Sequence, residues 1–245
     1  MSMDRPRVRT WRRTLHALAP IGRARAVRLR VDTGPLAPAV LRRPRQGQLG
    51  DCWVMAALLA VHETAPERLR AMLEEDADGG VLVQLPTVAE PIRVERRYPV
   101  DEQGRWLHGR RDGANPGWVG ALEKAIAQHV AGGYRFLQSG FGRFGLEVLT
   151  GQRVRSMLRL PSAQEIISWR GEQRAIFAST HPLSPLVASP VGPLPRNHVF
   201  AVVGADPRSG HVHLRNPGRP GEVLVLDAVR FRRGFLSVDI SAPLR

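Results

Sequence analysis

Cysteine is almost absent from this chain of 245 residues, and the single one, Cys52, excludes an internal disulfide framework. No Cys/His cluster has the spacing of a zinc site, and no apolar run is long enough to span a bilayer. The first residues also lack the charged-then-apolar layout of a secretion signal. Because the sequence has no cluster of metal-ligating residues, we expect no metal, and we also expect no cofactor. We also expect a cytoplasmic location, or export by a route without a classical signal peptide.

Lysine is equally scarce, since Lys124 is the only one and arginine supplies the rest of a formal net charge of +14. Such a charge is typical of proteins that bind nucleic acid or an acidic partner. Abundant alanine, glycine and proline accompany the arginine, which indicates the coding bias of a GC-rich genome. We therefore interpret much of the charge as composition and expect no nucleic-acid partner.

Residues 1–40 are the exception, because arginine is concentrated there among turn-forming residues with weak periodicity. We interpret them as a basic N-terminal extension in front of a folded region that begins near Leu41. The extension is either a solvated arm or a segment that binds an acidic inhibitor or immunity-type protein. Contact with a membrane surface is a weaker alternative.

Residues 41–175 have the pattern of a helical lobe with a small β addition. Apolar residues recur at helical spacing from Cys52, and residues 118–130 form a second amphipathic segment. Ser162 with Glu165 three residues later is a capping box that begins another helix. Residues 81–85 and 92–100 alternate like the strands of a hairpin.

Residues 176–245 change to short β-rich segments separated by turns. Alternating apolar positions predict an antiparallel β lobe. The predicted strands are residues 185–189, 198–205, 211–216, 222–227 and 235–240.

Cys52 follows the turn-like Leu-Gly-Asp, so its sulfur is expected in the first turn of an apolar helix. The unpaired N–H groups and the positive dipole end at that place stabilise an anion, which would lower the pKa of the thiol and activate it as a nucleophile. A lone cysteine in an apolar helix is, alternatively, a packing residue. The choice between the two depends on whether a general base accompanies it.

His198 is the candidate base among eight histidines because of the hairpin that carries it. Pairing residues symmetrically about the turn places His198 opposite Asn216 or Pro217. An asparagine oxygen that accepts from one ring nitrogen would fix the tautomer and leave the other nitrogen facing a thiol. His62, by contrast, lies about 15 Å from Cys52 along the same helix and cannot serve it.

Gln46 lies six residues before the cysteine and is the candidate oxyanion donor. An N–H of its side-chain amide, together with the backbone N–H of Cys52, could hold a developing negative oxygen. Cysteine, histidine, asparagine and glutamine then complete the set of groups that a thiol protease requires.

Several stretches resemble the calpain-type cysteine proteases. Their nucleophile segment is similar to QGQLGDCWVMAAL, their histidine strand to NHVFAVVG and their asparagine turn to LRNPG; their Trp-x-x-x-Leu-Glu-Lys-Ala helix is similar to WVGALEKAIAQHVAGGY. The resemblance covers residues 41–240 in the order of the family. It implies an α+β, papain-like two-lobed fold, with Cys52 as nucleophile, His198 as base and acid, Asn216 as orienting residue and Gln46 as oxyanion donor. It also leads us to expect a compact bacterial member.

The chain departs from the resemblance at three positions. Gly218 stands where family members carry a tryptophan that shields the histidine–asparagine contact. Arg43 and Arg135 stand where animal calpains have acidic calcium ligands, so we expect activity without calcium in this lobe. The two arginines either meet a carboxylate such as Glu123 or Glu147, or are solvated.

The sequence therefore predicts a cysteine endopeptidase that hydrolyses peptide bonds in a protein or peptide substrate through a thioester acyl-enzyme. Two alternatives stay open. The first is a catalytically impaired scaffold of the same fold that uses the cleft for binding, and the second is an effector- or toxin-type protease that is paired with an acidic partner.

Overall fold

A computed structural model describes residues 28–138, 140 and 142–244. The first part of the predicted N-terminal extension, residues 1–27, lies outside the described residues. No helix in the described ranges is long and apolar enough to cross a membrane. The fold is a mixture of helices and antiparallel strands, as the α+β prediction requires.

The helical lobe is built around α1 (Cys52–His62), whose residues from Trp53 to Val61 are all buried. The helix is apolar on every side because other elements surround it. Further helices of this lobe are α2 (Pro66–Arg70), α3 (Gly117–Ala125) and α4 (Gly142–Thr150). A π-helical segment, Ile126–Ala131, continues α3, and a 3-10 turn, Tyr134–Leu137, follows it.

Short strands flank these helices: β1 (Arg28–Val31), β2 (Pro44–Arg45), β3 (Leu73–Glu75), β4 (Val81–Val83), β5 (Ile92–Val94), β6 (Arg97–Val100) and β7 (Arg110–Arg111). Strands β4 and β5 pair antiparallel, as predicted. The stretch 92–100, however, is two strands rather than one. Its second half, β6, leaves this sheet and pairs with β1.

Residues 28–40 belong to the folded structure, although the sequence pattern placed them in the extension. Strand β1 pairs with β6, and the buried Asp32 carboxylate accepts hydrogen bonds from Asn115 Nδ2 at 2.6 Å and from the Gly117 backbone N–H at 2.9 Å. Asp32 also pairs with Arg96 at 3.2 Å. A buried carboxylate needs such partners, which a sequence pattern does not show.

The second half of the chain forms one six-stranded antiparallel sheet from β8 (Arg155–Met157), β9 (Arg174–Thr180), β12 (Val199–Asp206), β13 (His211–Asn216), β14 (Arg219–Leu226) and β15 (Phe235–Pro243). The order of these strands in the sheet is β14-β13-β12-β9-β15-β8. Four of the predicted strands are confirmed in it, and the fifth, residues 185–189, is a 3-10 turn (Ser184–Leu186) followed by β10 (Ala188–Ser189). Strand β10 pairs with β11 (Gly192–Pro193).

The two faces of this sheet have different neighbours, which places the site. Val199 and Ala201 of β12 join the core around α1, whereas Phe200 and Val202 face the opposite core. That second core includes residues of α5 (Ala163–Gly171), which begins with the predicted Ser162–Glu165 capping box, and of α6 (Ala228–Gly234). Helix α1 therefore packs directly on the strand that follows His198.

Candidate active site

Cys52 occupies the predicted position at the start of α1. Asp51 precedes the helix, and its backbone carbonyl accepts hydrogen bonds from the N–H groups of Val54 and Met55. The thiol is partly buried and lies against the backbone N–H of Val199, the residue directly after His198. The structure thus brings the cysteine and the histidine strand together.

The expected electrostatic activation of Cys52 is wrong in direction. Burial raises the pKa of the thiol to about 11, and the charge of Asp51 adds to this effect. Donation from the N–H groups of Val199 and Trp53 lowers the pKa, but by less. Loss of hydration therefore outweighs the helix terminus. Burial therefore favours the neutral thiol in the resting site.

His198 and Asn216 are in contact, as the hairpin argument predicts. His198 Nε2 lies 2.9 Å from Asn216 Oδ1. The same oxygen accepts the backbone N–H of Gly218 at 2.8 Å, which fixes the orientation of the amide. Because this oxygen can only accept, Nε2 must carry the hydrogen, and Nδ1 is the nitrogen that is free to accept a proton.

Gly218 takes part in this contact instead of weakening it. A Cβ at this position would lie 3.2 Å from Asn216 Oδ1, so a side chain would crowd the oxygen that holds the histidine. Phe200 supplies apolar cover for the histidine, because its ring packs edge-on against the His198 ring at a centroid distance of 5.2 Å. Burial lowers the pKa of His198, and the bond to Asn216 opposes this shift. The imidazole is therefore neutral at neutral pH.

Thr180 is a site residue that the sequence analysis missed. Its Oγ1 accepts the backbone N–H of His198 at 2.9 Å and donates to the carbonyl of Pro195 at 2.7 Å. Its own N–H donates to the His198 carbonyl. Thr180 ends β9, a strand that the period-2 pattern did not reveal because four consecutive residues of it are buried.

Gln46 lies in the loop before Cys52, and its side chain is held by that loop. Nε2 donates to the Leu49 carbonyl at 2.8 Å, and the amide also lies beside Asp51. Its backbone N–H donates to the Pro217 carbonyl at 2.8 Å, so the glutamine loop is attached to the asparagine turn. The next residue must be glycine, because a Cβ on Gly47 would clash with the backbone carbonyl oxygen of Leu107.

Glu63, at the end of α1, joins three parts of the site. Arg43 Nε donates to its Oε1 at 2.5 Å, and Arg215 Nε lies 3.5 Å from its Oε2. Arg43 precedes the glutamine loop, and Arg215 precedes Asn216. The partner of Arg43 is therefore Glu63, not Glu123 or Glu147 as the sequence analysis suggested. Burial raises the pKa of Glu63, but hydrogen bonds from His62 and Arg43 and the charges of the two arginines outweigh it and lower the pKa to about 2.

The positions that would carry calcium ligands do not fit the ion. Arg43 is bound to Glu63, and the Arg135 guanidinium lies 5.3 Å from the Phe136 ring centroid. Neither arginine side chain provides an oxygen ligand. Among the described residues, no group of three or more His, Cys, Asp or Glu side chains is arranged to hold a metal ion.

The α+β fold carries a cysteine at the start of a helix. Beside this cysteine lies the strand that follows a histidine, and the histidine is hydrogen-bonded to an asparagine. This combination defines the class of papain-like cysteine proteases.

Comparison with known proteins specifies the family. Residues 40–218 match the family model described as calpain family cysteine protease, so the chain belongs to the calpain family. It is 25% identical over 190 residues to calpain-type cysteine protease DEK1 of Arabidopsis thaliana. It is 26% identical over 190 residues to calpain-type cysteine protease ADL1 of Oryza sativa subsp. japonica. Each match covers 70% of this chain but only 9% of the relative.

Proposed function

We propose that the chain is an active cysteine endopeptidase in which Cys52 is the nucleophile, His198 the general base and acid, and Asn216 the orienting residue. The observation that carries the proposal is the hydrogen bond between His198 Nε2 and Asn216 Oδ1, next to the strand position that contacts the Cys52 thiol. A packing cysteine would have no need of a fixed imidazole tautomer at this place.

The first step is acylation. His198 Nδ1 takes the proton of the thiol while Sγ attacks the carbonyl carbon of the peptide bond. The carbonyl oxygen becomes negative and is held by the Cys52 backbone N–H and by an N–H of the Gln46 amide. His198 then gives the proton to the leaving amine as the C–N bond breaks, and a thioester on Cys52 remains.

The second step releases the acyl group. A water molecule loses a proton to His198 Nδ1 as its oxygen attacks the thioester carbonyl. Sγ leaves and takes the proton back from the imidazole, which restores the neutral pair. Throughout both steps Asn216 Oδ1 holds Nε2–H, so the ring stays oriented and its positive form is stabilised.

A pocket of about 220 Å³ beside Asn216 offers a place for part of the substrate. Its apolar walls include Leu194, Phe200, Val223 and Leu224, and Arg219 and Glu222 are the charged residues that line it. The amine that leaves must reach His198, and the ring of Phe200 touches both His198 and the pocket. We assign the pocket to an apolar side chain on the leaving side of the cleaved bond.

The other expected partners have less support. Nothing in the comparisons or the described residues bears out an acidic inhibitor or contact with a membrane, and residues 1–27 are not described. Our proposal is therefore limited to a protein or peptide substrate.

The test is digestion of a mixture of unfolded proteins, with the new termini identified by mass spectrometry. The native chain should produce cleavages that Cys52→Ala and His198→Ala do not. His211→Ala is the matched control, because His211 lies on the neighbouring strand β13 and its Nδ1 is bonded to Ser209. Equal cleavage by the native chain and Cys52→Ala, or none by the native chain, would contradict the proposal, and the second result would favour a binding scaffold.

A further inference from the structure

Two carboxyl groups lie directly beneath the start of the nucleophile helix. Asp51 and Glu123 are both fully buried, and their side chains are close enough to hydrogen-bond to one another. Glu123 is on α3, and Asp51 is the residue before Cys52. The contact therefore joins a second helix to the point where α1 begins.

The surroundings provide no counter-charge for this pair. Both Glu123 oxygens accept the backbone N–H of Gly109, at 3.1 and 3.2 Å. The buried groups nearby are the phenols of Tyr98 and Tyr134 and the neutral imidazole of His108, whose pKa burial lowers to about 4. No arginine or lysine of the described chain forms an ion pair with either carboxyl. Two negative charges at this distance would repel each other without relief.

Asp51 also has no well-placed donor, although the Gln46 amide lies beside its carboxyl group. Among the described residues, neither of its side-chain oxygens has an N–H or O–H partner with acceptable hydrogen-bond geometry. Its side chain does not cap α1 although its backbone occupies the cap position. A buried carboxylate without a well-placed donor is costly, and besides the Gln46 amide the neighbouring group that could supply a donor is the carboxyl of Glu123.

We propose that Glu123 keeps a proton at neutral pH and donates it to Asp51, and that Glu123 is thereby a positioning residue for Cys52. The resulting acid–carboxylate bond gives Asp51 a strong donor and leaves one negative charge on the pair instead of two. It anchors the residue whose carbonyl begins α1. The remaining charge, beside Cys52, is one reason why the resting thiol stays protonated.

The direction of the shifts agrees with this geometry. Burial is the largest cause that raises the pKa of Asp51 to about 6, and burial together with the charge of Asp51 raises the pKa of Glu123 well above its ordinary value. A carboxyl with a raised pKa stabilises the fold while it is protonated and loses that contribution as the pH rises. The fold should therefore weaken as the pH rises above the ordinary range of a glutamate, where the unfolded chain loses the proton that folded Glu123 keeps.

Glu123→Gln is the decisive variant, because an amide can donate to Asp51 while its oxygen still accepts from Gly109. If Glu123 is a proton donor, this variant should keep kcat/KM near the native value at neutral pH. Its melting temperature should also fall less than that of the native chain from neutral to alkaline pH. Glu123→Ala should lose catalytic rate by about 10-fold or more, since a misplaced nucleophile is costly.

Difference infrared spectroscopy measures the proton itself. The native full-length chain at neutral pH should show the C=O band of a buried carboxylic acid that shifts in D₂O and is absent from Glu123→Gln. Glu147→Gln is the control, because Glu147 is another buried glutamate but accepts the Val154 N–H instead. Absence of the band, or its persistence in Glu123→Gln, would overturn the proposal, as would equal damage by Gln and Ala. The positioning role rests on the proposed function, but the band and the melting curves do not require proteolysis.

Discussion

The backbone N–H of Gln46 donates to the carbonyl of Pro217 at 2.8 Å. This bond attaches the loop that precedes Cys52 to the turn that follows Asn216. The proposed oxyanion donor and the proposed orienting residue therefore move together, and a change on one side of the site should be felt on the other.

Gln46→Ala should lower kcat by about 10²-fold, the usual loss for one oxyanion donor, with a smaller change in KM. The backbone bond to Pro217 survives in this variant, so the loop should keep its place. Steady-state kinetics on one peptide substrate will measure the effect. Gln48→Ala is the matched control from the same loop. A larger loss in Gln48→Ala than in Gln46→Ala would reassign the donor.

The pH dependence of kcat/KM should show an acid limb below pH 6.5. His198 must be neutral to accept the thiol proton, and burial lowers its pKa from the ordinary 6.5. Activity is thus retained as the pH falls to 6.5 and is lost further down, when the imidazole becomes protonated. An acid limb above 6.5 would mean that the imidazole is stabilised in its charged form.

Alkylation of Cys52 by iodoacetamide should be slow at neutral pH and accelerate toward alkaline pH. The pKa of the thiol is raised to about 11, and alkylation requires the thiolate. The rate can be followed by intact mass. Rapid alkylation that is already independent of pH near neutrality would show a preformed thiolate–imidazolium pair and would contradict the neutral resting site.

Glu63→Gln should reduce stability by about 1 kcal/mol, because it weakens ion pairs that are only partly shielded from water. It should lower the catalytic rate as well, since Glu63 holds Arg43 and Arg215 on either side of the site. Urea unfolding and kinetics will separate the two effects. Glu67→Gln, whose exposed carboxylate pairs with Arg70 on α2, is the control. Equal losses of stability and of catalytic rate in both variants would show that Glu63 has no special role at the site.

Calcium should not change the activity of the native chain. Where an acidic ligand would be needed, Arg43 is already bound to Glu63, and a guanidinium repels a divalent cation. Activities in excess chelator and in excess calcium should agree within error. A strong calcium requirement would mean that ligands come from elsewhere in the chain.

Asp32→Ala should lower the free energy of unfolding by about 3–5 kcal/mol, the usual loss when one partner is removed from a buried charged network. Its carboxylate holds Asn115 and Gly117, and Arg96 would be left without its charge partner. Deletion of residues 1–35 would remove β1 and Asp32 together, so it should destabilise the fold, contrary to the prediction for a solvated arm. An unchanged melting temperature would contradict the observed packing of this segment.

Val223→Asp should impair cleavage of substrates with an apolar side chain on the leaving side, without slowing the alkylation of Cys52. Val223 is partly exposed and lines the pocket beside Asn216, so the substitution changes the wall of the pocket and not the core. Peptides that differ only at that side chain will show the effect as a rise in KM. An unchanged preference would assign the pocket to another part of the substrate.

The hairpin of β12 and β13 shows which part of the site the sequence predicts and which part it does not. Symmetric pairing about its turn predicted the contact of His198 with Asn216, and the contact is present. The register is nevertheless different, because Ala201 pairs with Arg215 and a bulge lies between Val202 and Gly204. The side chain of Asn216 still reaches the ring, since β13 ends there and the chain turns back to Arg219.

Other features depend on contacts that no local pattern reveals. Helices α4 and α6 were not predicted, and β1 was assigned to the extension because its partner, β6, is distant in the sequence. The bond of Glu63 to Arg43 and the closeness of Glu123 to Asp51 likewise arise from packing between helices and loops. The direction of the pKa shift of Cys52 could not be predicted either, because this shift is set by burial of the thiol and not by its position in the helix.

The most direct test of the proposed mechanism is to trap the acyl-enzyme. A single turnover with excess enzyme over a peptide ester, quenched in acid and measured by intact mass, should add the mass of the acyl group to the native chain. Fragmentation should place that group on Cys52, and Cys52→Ala and His198→Ala should remain unmodified on the same time scale. An unmodified native chain during turnover, or an acyl group on another residue, would contradict Cys52 as the nucleophile.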